Sequence, residues 1–228
     1  CEPPARGARW AAAIGVDVHA PLSTRSQLFG GCEVSRVAPP ASLTCPACTG
    51  QPGALPVLTR GVLDLAVRAA LAFGADIAAE THFDRKNYFY CDLPKNFQTS
   101  QYDHPFCTGG GVELMSGAFV RLNRIHMEED AGKTMHSDAG SLVDLNRTGV
   151  PLIESVTEAD LHSPEDAHEY LTRFREVLQF VGVSTADMEK GELRCDVNIS
   201  VAPEGEEGLR TKVEMKNLNS FRHVLASL

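Results

Sequence analysis

The sequence predicts an α+β protein built on antiparallel strands, and three observations carry that expectation. From Leu193 to Val201, the residues Leu193, Cys195, Val197, Ile199 and Val201 alternate with Arg194, Asp196, Asn198 and Ser200, a period of two that gives a strand one apolar and one polar face. After the loop PEGEEG, Val213 and Met215 alternate with Lys212, Glu214 and Lys216, so the pair reads as an antiparallel hairpin. Two other stretches, Thr59–Phe73 and Ser163–Val181, carry apolar residues at helical spacing on one face, which needs a core to cover it.

In chain order, WAAAIGVDVHA (residues 10–20) reads as a strand with Asp17 and His19, two apart, on one face. Residues 30–58 are irregular, rich in Gly, Pro and Cys. Thr59 is placed to cap the first helix and Gly74 to stop it, with Val62, Leu63, Ala66, Val67, Ala70 and Leu71 as its buried stripe. Phe83–Ser100 is aromatic, basic and turn-rich, a strand-and-loop segment of the kind that forms sites. A strand pair is expected over Val112–Leu114 and Ala118–Met127. Ser163-Pro164-Glu165-Asp166 combines an N-cap serine, Pro at the first helical position and two first-turn carboxylates, and its helix runs through Tyr170, Leu171, Phe174 and Leu178 to Gly182. The final FRHVLASL has the pattern of a helix cut in its second turn, and with Cys1 at the start it suggests a fragment of a longer chain.

The composition excludes several classes. Of 228 residues, 43% are hydrophobic, enough for a packed core, and no run of about 18 apolar residues marks a membrane span. Residues 1–75 hold 6 Lys+Arg and 4 Asp+Glu, whereas residues 76–228 hold 15 and 26. So acidic a segment argues against a general nucleic-acid binder, which needs a dominant basic field. Seven cysteines, scattered and odd in number, do not form a disulfide framework.

Among motifs, Gly132-Lys133-Thr134 is not a phosphate loop, since Met127 stands where that loop needs its first glycine. Cys45-x-x-Cys48 with Cys32 supplies three thiolates for a tetrahedral zinc, one short of a closed site; reduced cysteines in an irregular loop are the alternative. The run Glu128-Glu129-Asp130 reads as a solvated charge cluster by composition. Strand parity argues otherwise, because Glu129 shares a face with Ile125 and Met127 and would be turned inward, where it needs a partner or a metal. The hairpin face of Arg194, Asp196, Asn198, Lys212, Glu214 and Lys216 is either a solvated sheet face or a surface for magnesium and phosphate.

Five segments together, FDRKNYFYCDLPKN (83–96), IHMEEDAGK (125–133), VDLNRTGVPLIE (143–154), GELRCDVNISV (191–201) and KNLNSF (216–221), closely resemble the GatB family, the B subunits of the aspartyl/glutamyl-tRNA(Asn/Gln) amidotransferases. The resemblance implies an antiparallel-sheet cradle with flanking helices, the glutamine-synthetase-like kinase region of that family, over residues 14–228. Residues 1–13 would be a flexible lead-in, and a helical region and tail domain would be missing. It implies ATP- and Mg²⁺-dependent activation of the side-chain carboxylate of Glu or Asp mischarged on tRNA, followed by attack of ammonia. The implied partners are an amidase subunit (GatA), a small subunit (GatC) and the tRNA. The bacterial cytoplasm is the implied location, with the mitochondrial or plastid matrix as alternative.

On matching positions His19, Glu129 and Glu214 resemble the magnesium residues, and Arg85, Lys86, Asp196 and Lys216 those around ATP and the acceptor end. Lys86, Glu129, Asp196 and Glu214 are accordingly the expected catalytic set. Asp17 replaces a family glutamate, and Gly30 replaces the first cysteine of a zinc-type knuckle, leaving Cys32, Cys45 and Cys48 for Zn²⁺. Those departures motivate an alternative, a degenerate subunit that only binds tRNA or scaffolds partners.

Overall fold

A computed structural model describes residues 9–35, 37–188, 190–218 and 220–228, with only the backbone of Asn217. Residues 1–8 of the expected lead-in and Asn219 of the KNLNSF segment lie outside the described residues.

Strand β1 (Trp10–Pro21) shows why the sheet has two unlike faces: Ile14, Val16, Val18 and Ala20 are buried on one side, and Asp17 and His19 point to the other. The strand begins at Trp10, so the last residues assigned to the lead-in are paired with β11. Helix α1 (Arg60–Ala72) follows the irregular 30–58 segment, then the short strands β2 (Asp76–Ile77), β3 (Asp84–Asn87), β4 (Phe97–Ser100), β5 (Cys107–Thr108) and β6 (Gly111–Glu113). The long β7 (Phe119–Glu129) is followed by the hairpin β8 (Lys133–Ser137) and β9 (Gly140–Asp144), and by β10 (Pro151–Thr157). Helix α2 (Pro164–Phe180), β11 (Arg194–Pro203), β12 (Val213–Leu218) and α3 (Phe221–Ser227) complete the chain.

The main sheet runs in the order β12-β11-β1-β10-β7-β5-β2, with β6 also paired to β7, and every pairing is antiparallel. The fold is therefore α+β, as the alternating hairpin predicted. α1 and α2 cover the apolar face, where Phe73 stacks on Phe174 at 4.6 Å between centroids. In α2 the expected cap forms, Ser163 Oγ accepting from the Asp166 amide at 3.1 Å. In α1, Thr59 holds the N-cap position but donates its hydroxyl to the Gln27 carbonyl at 2.7 Å, tying the helix to the preceding loop. Leu71, placed on the buried stripe by its spacing, is exposed at the helix end. α3 is capped at its N-terminus by Ser220 Oγ, which accepts from the His223 amide at 3.1 Å.

Two local features position the site. First, β7 carries a bulge: Val156 pairs with Arg124 and Thr157 with Leu122, leaving Asn123 as an extra residue. The buried side therefore changes parity, from Val120 and Leu122 before the bulge to Ile125, Met127 and Glu129 after it. Second, β4 runs along the free edge of β7 without a ladder: Gln98 Nε2 donates to the Glu129 carbonyl at 2.8 Å, and the Met127 amide donates to Gln101 Oε1 at 3.0 Å. The β3–β4 hairpin thus presents one face to each side of the sheet.

Candidate active site

Register assembles a polar cluster on the open face of the sheet. His19 stands opposite Glu154 on β10 and Arg194 on β11, Glu154 opposite His126 on β7, and Asp17 opposite Asp196. Directly opposed residues of an antiparallel pair share a face with Cβ atoms about 5 Å apart, so these groups must meet. His19 Nε2 lies 3.4 Å from Glu154 Oε2 and 3.6 Å from Glu128 Oε1, and His126 Nε2 lies 3.0 Å from Glu154 Oε2. His126 Nδ1 accepts from Arg124 Nε at 3.4 Å, so its ring proton sits on Nε2 and is given to Glu154.

Ligand atoms of His19, Glu128 and Glu154 all lie within 4.8 Å of one another. Two carboxylates and an imidazole fit a magnesium- or manganese-like ion that keeps other positions for water and phosphate oxygens. The electrostatics match that use. Burial first, and then the charge of Glu154, pushes the Glu128 carboxyl up to about 7, so below that pH it holds a proton that a cation would displace. Burial also opposes ionisation of Glu154, but hydrogen bonds from His126 and His19 outweigh it and hold that carboxyl well below the usual range. For His19 burial works against the charged ring, and the Glu154 hydrogen bond overcomes it, raising the pKa. Asp17 is pushed up, by burial above all and then by Glu154.

Beside the cluster lies a cavity of about 230 Å³, bounded among others by His19, Lys86, Glu128, Arg147, Arg194 and Asp196. Asp130 fixes both arginines, Arg194 Nη2 at 3.1 Å from Oδ1 and Arg147 Nε at 3.4 Å from Oδ2. Arg147 also donates to the carbonyls of Ala131 and Gly132 at 2.9 and 2.7 Å, which turns the 130–132 segment into one wall. Three cationic side chains beside an acidic cluster can take a divalent cation and the anionic group that accompanies it.

The structure brings together His19, Lys86 and Asp196 of the expected residues and separates the rest. Glu129 does not join His19. The bulge in β7 gives the site face to Arg124, His126 and Glu128, and Glu129 turns to the helix side, where it pairs with Lys95 Nζ and accepts from the Thr99 amide at 2.9 Å. The parity argument for an inward Glu129 was right; its partner is a lysine.

Arg85 follows the same rule. Adjacent to Lys86 on β3, it faces the opposite side and lies over the Phe97 ring at 4.6 Å, lining a second cavity of about 470 Å³ with Phe83, Lys95 and Glu129. Glu214 is level with Gly15 through Asn198, four residues and two strands from His19, roughly 16 Å at ordinary strand spacings. It is paired with Lys216 at 3.2 Å, and that bond, ahead of the nearby Asp196 and Asp17, raises the Lys216 pKa. Of the three residues expected to meet, His19, Glu129 and Glu214, only His19 lies in the cluster, and the carboxylates that meet it are those of Glu128 and Glu154.

Glu128, Glu154, Arg147 and Asp130, which form or bound the cluster and its cavity, and Lys95, the partner of Glu129, were not among the residues expected for the site. All lie in the five segments, and alternation from His126 to Glu128 was the available signal for the first.

Cys32, Cys45 and Cys48 do converge, with Sγ atoms 3.3 Å apart for Cys45 and Cys48 and 3.7 Å apart for Cys48 and Cys32. Sulfurs on a tetrahedral zinc stand about 3.8 Å apart, so the three thiols fit one ion with little adjustment.

A helix-backed antiparallel sheet whose open face sets a carboxylate–imidazole cluster beside lysine and arginine defines a catalytic domain of the cation- and anion-handling kind. Comparison with known proteins gives the particular family. The pattern of the GatB/GatE catalytic domain matches residues 12–228, and the chain belongs to that family. It is similar to the aspartyl/glutamyl-tRNA(Asn/Gln) amidotransferase B subunit of Methylacidiphilum infernorum, 48% identical over 232 residues, covering 95% of this chain and 48% of that protein. The same subunit of Persephonella marina is 50% identical over 214 residues, covering 92% and 45%, and that of Brevibacillus brevis 50% over 220 residues, covering 94% and 46%. The chain thus spans about half the length of the curated relatives it matches. No described helix is long and apolar enough to cross a membrane.

Proposed function

We propose that this domain carries out ATP-dependent activation of the side-chain carboxylate of Glu or Asp mischarged on tRNA, so that ammonia converts it to Gln-tRNA or Asn-tRNA. The observation that carries the reading is the His19–Glu128–Glu154 cluster facing Lys86, Arg147 and Arg194 across one small cavity. A carboxylate is a poor acyl donor because oxide will not leave, and ATP with Mg²⁺ would supply the phosphoryl group and charge neutralisation that make it one. His19, Glu128 and Glu154 would hold the cation, with Asp17 and Asp196 next to it; Lys86 and Arg194 would orient anionic oxygens. Asp130, on the wall of the same cavity, would hold Arg194 and Arg147 in place through its two carboxylate oxygens.

The family membership supports an assembly with the amidase subunit (GatA), the small subunit (GatC) and the tRNA, in bacterial cytoplasm or an organelle matrix. The acidic balance of residues 76–228 supports tRNA affinity supplied largely by other domains or subunits.

The test uses the full-length subunit assembled with its amidase partner. Glu128→Ala and Lys86→Ala should each leave glutamine hydrolysis intact and abolish ATP-dependent transamidation of charged tRNA. Transamidation at the wild-type rate in both would refute the site. A scaffold with no chemistry would show no ATP hydrolysis stimulated by charged tRNA in the wild type.

A further inference from the structure

A buried amide stands against the thiol cluster. Gln27 is 2% exposed, and its Oε1 accepts from the Cys48 thiol, 2.7 Å from Sγ. Its Nε2 is buried and has no hydrogen-bond partner among the described residues, so the amide is oriented by its oxygen alone. Backbone bonds hold it in place: the Gln27 amide donates to the Cys32 carbonyl at 3.1 Å, and its carbonyl accepts from Thr59. Gly149, at φ +84°, lies against the side chain; a Cβ there would stand 3.1 Å from Oε1. At Gly30 a Cβ would be 3.7 Å from Cys45 Sγ and 3.8 Å from Gln27 Oε1, so a residue-30 side chain and the Gln27 oxygen approach the same corner of the cluster.

We infer that Gln27 closes the cysteine site as its fourth ligand, making an S₃O centre for a zinc ion from Cys32, Cys45, Cys48 and the Gln27 amide oxygen. The chemistry is consistent. Three thiolates leave zinc one position short, an amide oxygen is a neutral donor that adds no charge to the set, and a buried, pre-oriented one costs little entropy to recruit. The ion would tie the loop containing Cys45 and Cys48, which walls the larger cavity, to the start of α1 through Thr59. This assignment stands whether or not the domain acts on tRNA.

The test titrates the reduced protein with Co²⁺ and then displaces it with Zn²⁺. Wild type should take one ion per chain, with thiolate-to-cobalt charge transfer and the intense visible bands of a four-coordinate site, and zinc absorption spectroscopy should show three sulfurs and one oxygen. Gln27→Leu should weaken zinc about tenfold or more, and Gln27→Glu should tighten it. Gly30→Cys, unstrained at this position, should give a four-sulfur spectrum in which adding Gln27→Leu no longer matters. Failure of the reduced protein to bind either metal would overturn the inference. So would a zinc affinity unmoved by both Gln27 substitutions, which would mean that water fills the fourth position.

Discussion

Replacing Glu128 by Gln separates the role of this carboxylate from its contribution to stability. In the folded protein the Glu128 carboxyl titrates at about 7 against an ordinary 4.5, because it is 3% exposed and faces Glu154. Between those values the folded state holds a proton that the unfolded state has lost, so stability falls as pH rises through the window and levels off above it. A difference of that size corresponds to about 3 kcal/mol at pH 8. A glutamine at this position would have nearly the shape of the protonated acid and no charge to bury. Urea unfolding in EDTA should therefore find Glu128→Gln close to wild type at pH 5 and more stable by about 2–3 kcal/mol at pH 8, or some 4–12 °C in Tm. In the same wild-type protein Mg²⁺ or Mn²⁺ must displace this proton and the one that His19 holds at acid pH, so its affinity should rise with pH through the range in which both groups titrate. Glu128→Gln should lose most of the affinity and the Glu128 part of that pH dependence, leaving the shallower part that His19 contributes. A variant destabilised equally at pH 5 and pH 8, or one that binds the cation as well as wild type, would refute the reasoning.

Breaking the buried Lys95–Glu129 pair by Glu129→Gln or Lys95→Met should cost about 3–5 kcal/mol in urea unfolding, and the double substitution should recover much of it, since no lone charge then stays buried. Lys86 is exposed, so Lys86→Ala should change stability by no more than about 0.5 kcal/mol while transamidation is lost, a split visible by running unfolding and activity assays on one preparation. Gly110→Ala should lower stability by about 2 kcal/mol or more in thermal unfolding, because φ is +77° there and the new Cβ would stand 2.4 Å from the Phe73 carbonyl oxygen.

What the sequence made legible was whatever depended on local period. The β11–β12 hairpin, the α2 cap and the β6–β7 pair all lie where alternation or helical spacing placed them. β10 escaped because it is central and mixes residue types on each face, Leu152, Glu154 and Val156 on one and Ile153, Ser155 and Thr157 on the other, so it has no period of two to see. Thr59 shows a different limit. Its position as N-cap was readable, but its hydroxyl is recruited by Gln27, thirty-two residues away, and no local pattern records a tertiary acceptor.

The site shows why motif matching alone stops one step short of geometry. Arg85 and Lys86 are neighbours, as are Glu128 and Glu129, and in extended chain each pair must divide between two faces. The larger cavity takes Arg85 and Glu129, the smaller takes Lys86 and Glu128. Which member goes where is decided on β7 by a single residue. Counting back by twos from Glu128 through His126 and Arg124 reaches Leu122, which is buried in the core, so an unbroken strand would put Glu128 inside and Glu129 on the site face. The extra residue at Asn123 reverses that outcome. The bulge thus decides which residues meet: it gives Glu128 to His19 and Glu154, and leaves Glu129 to a buried lysine.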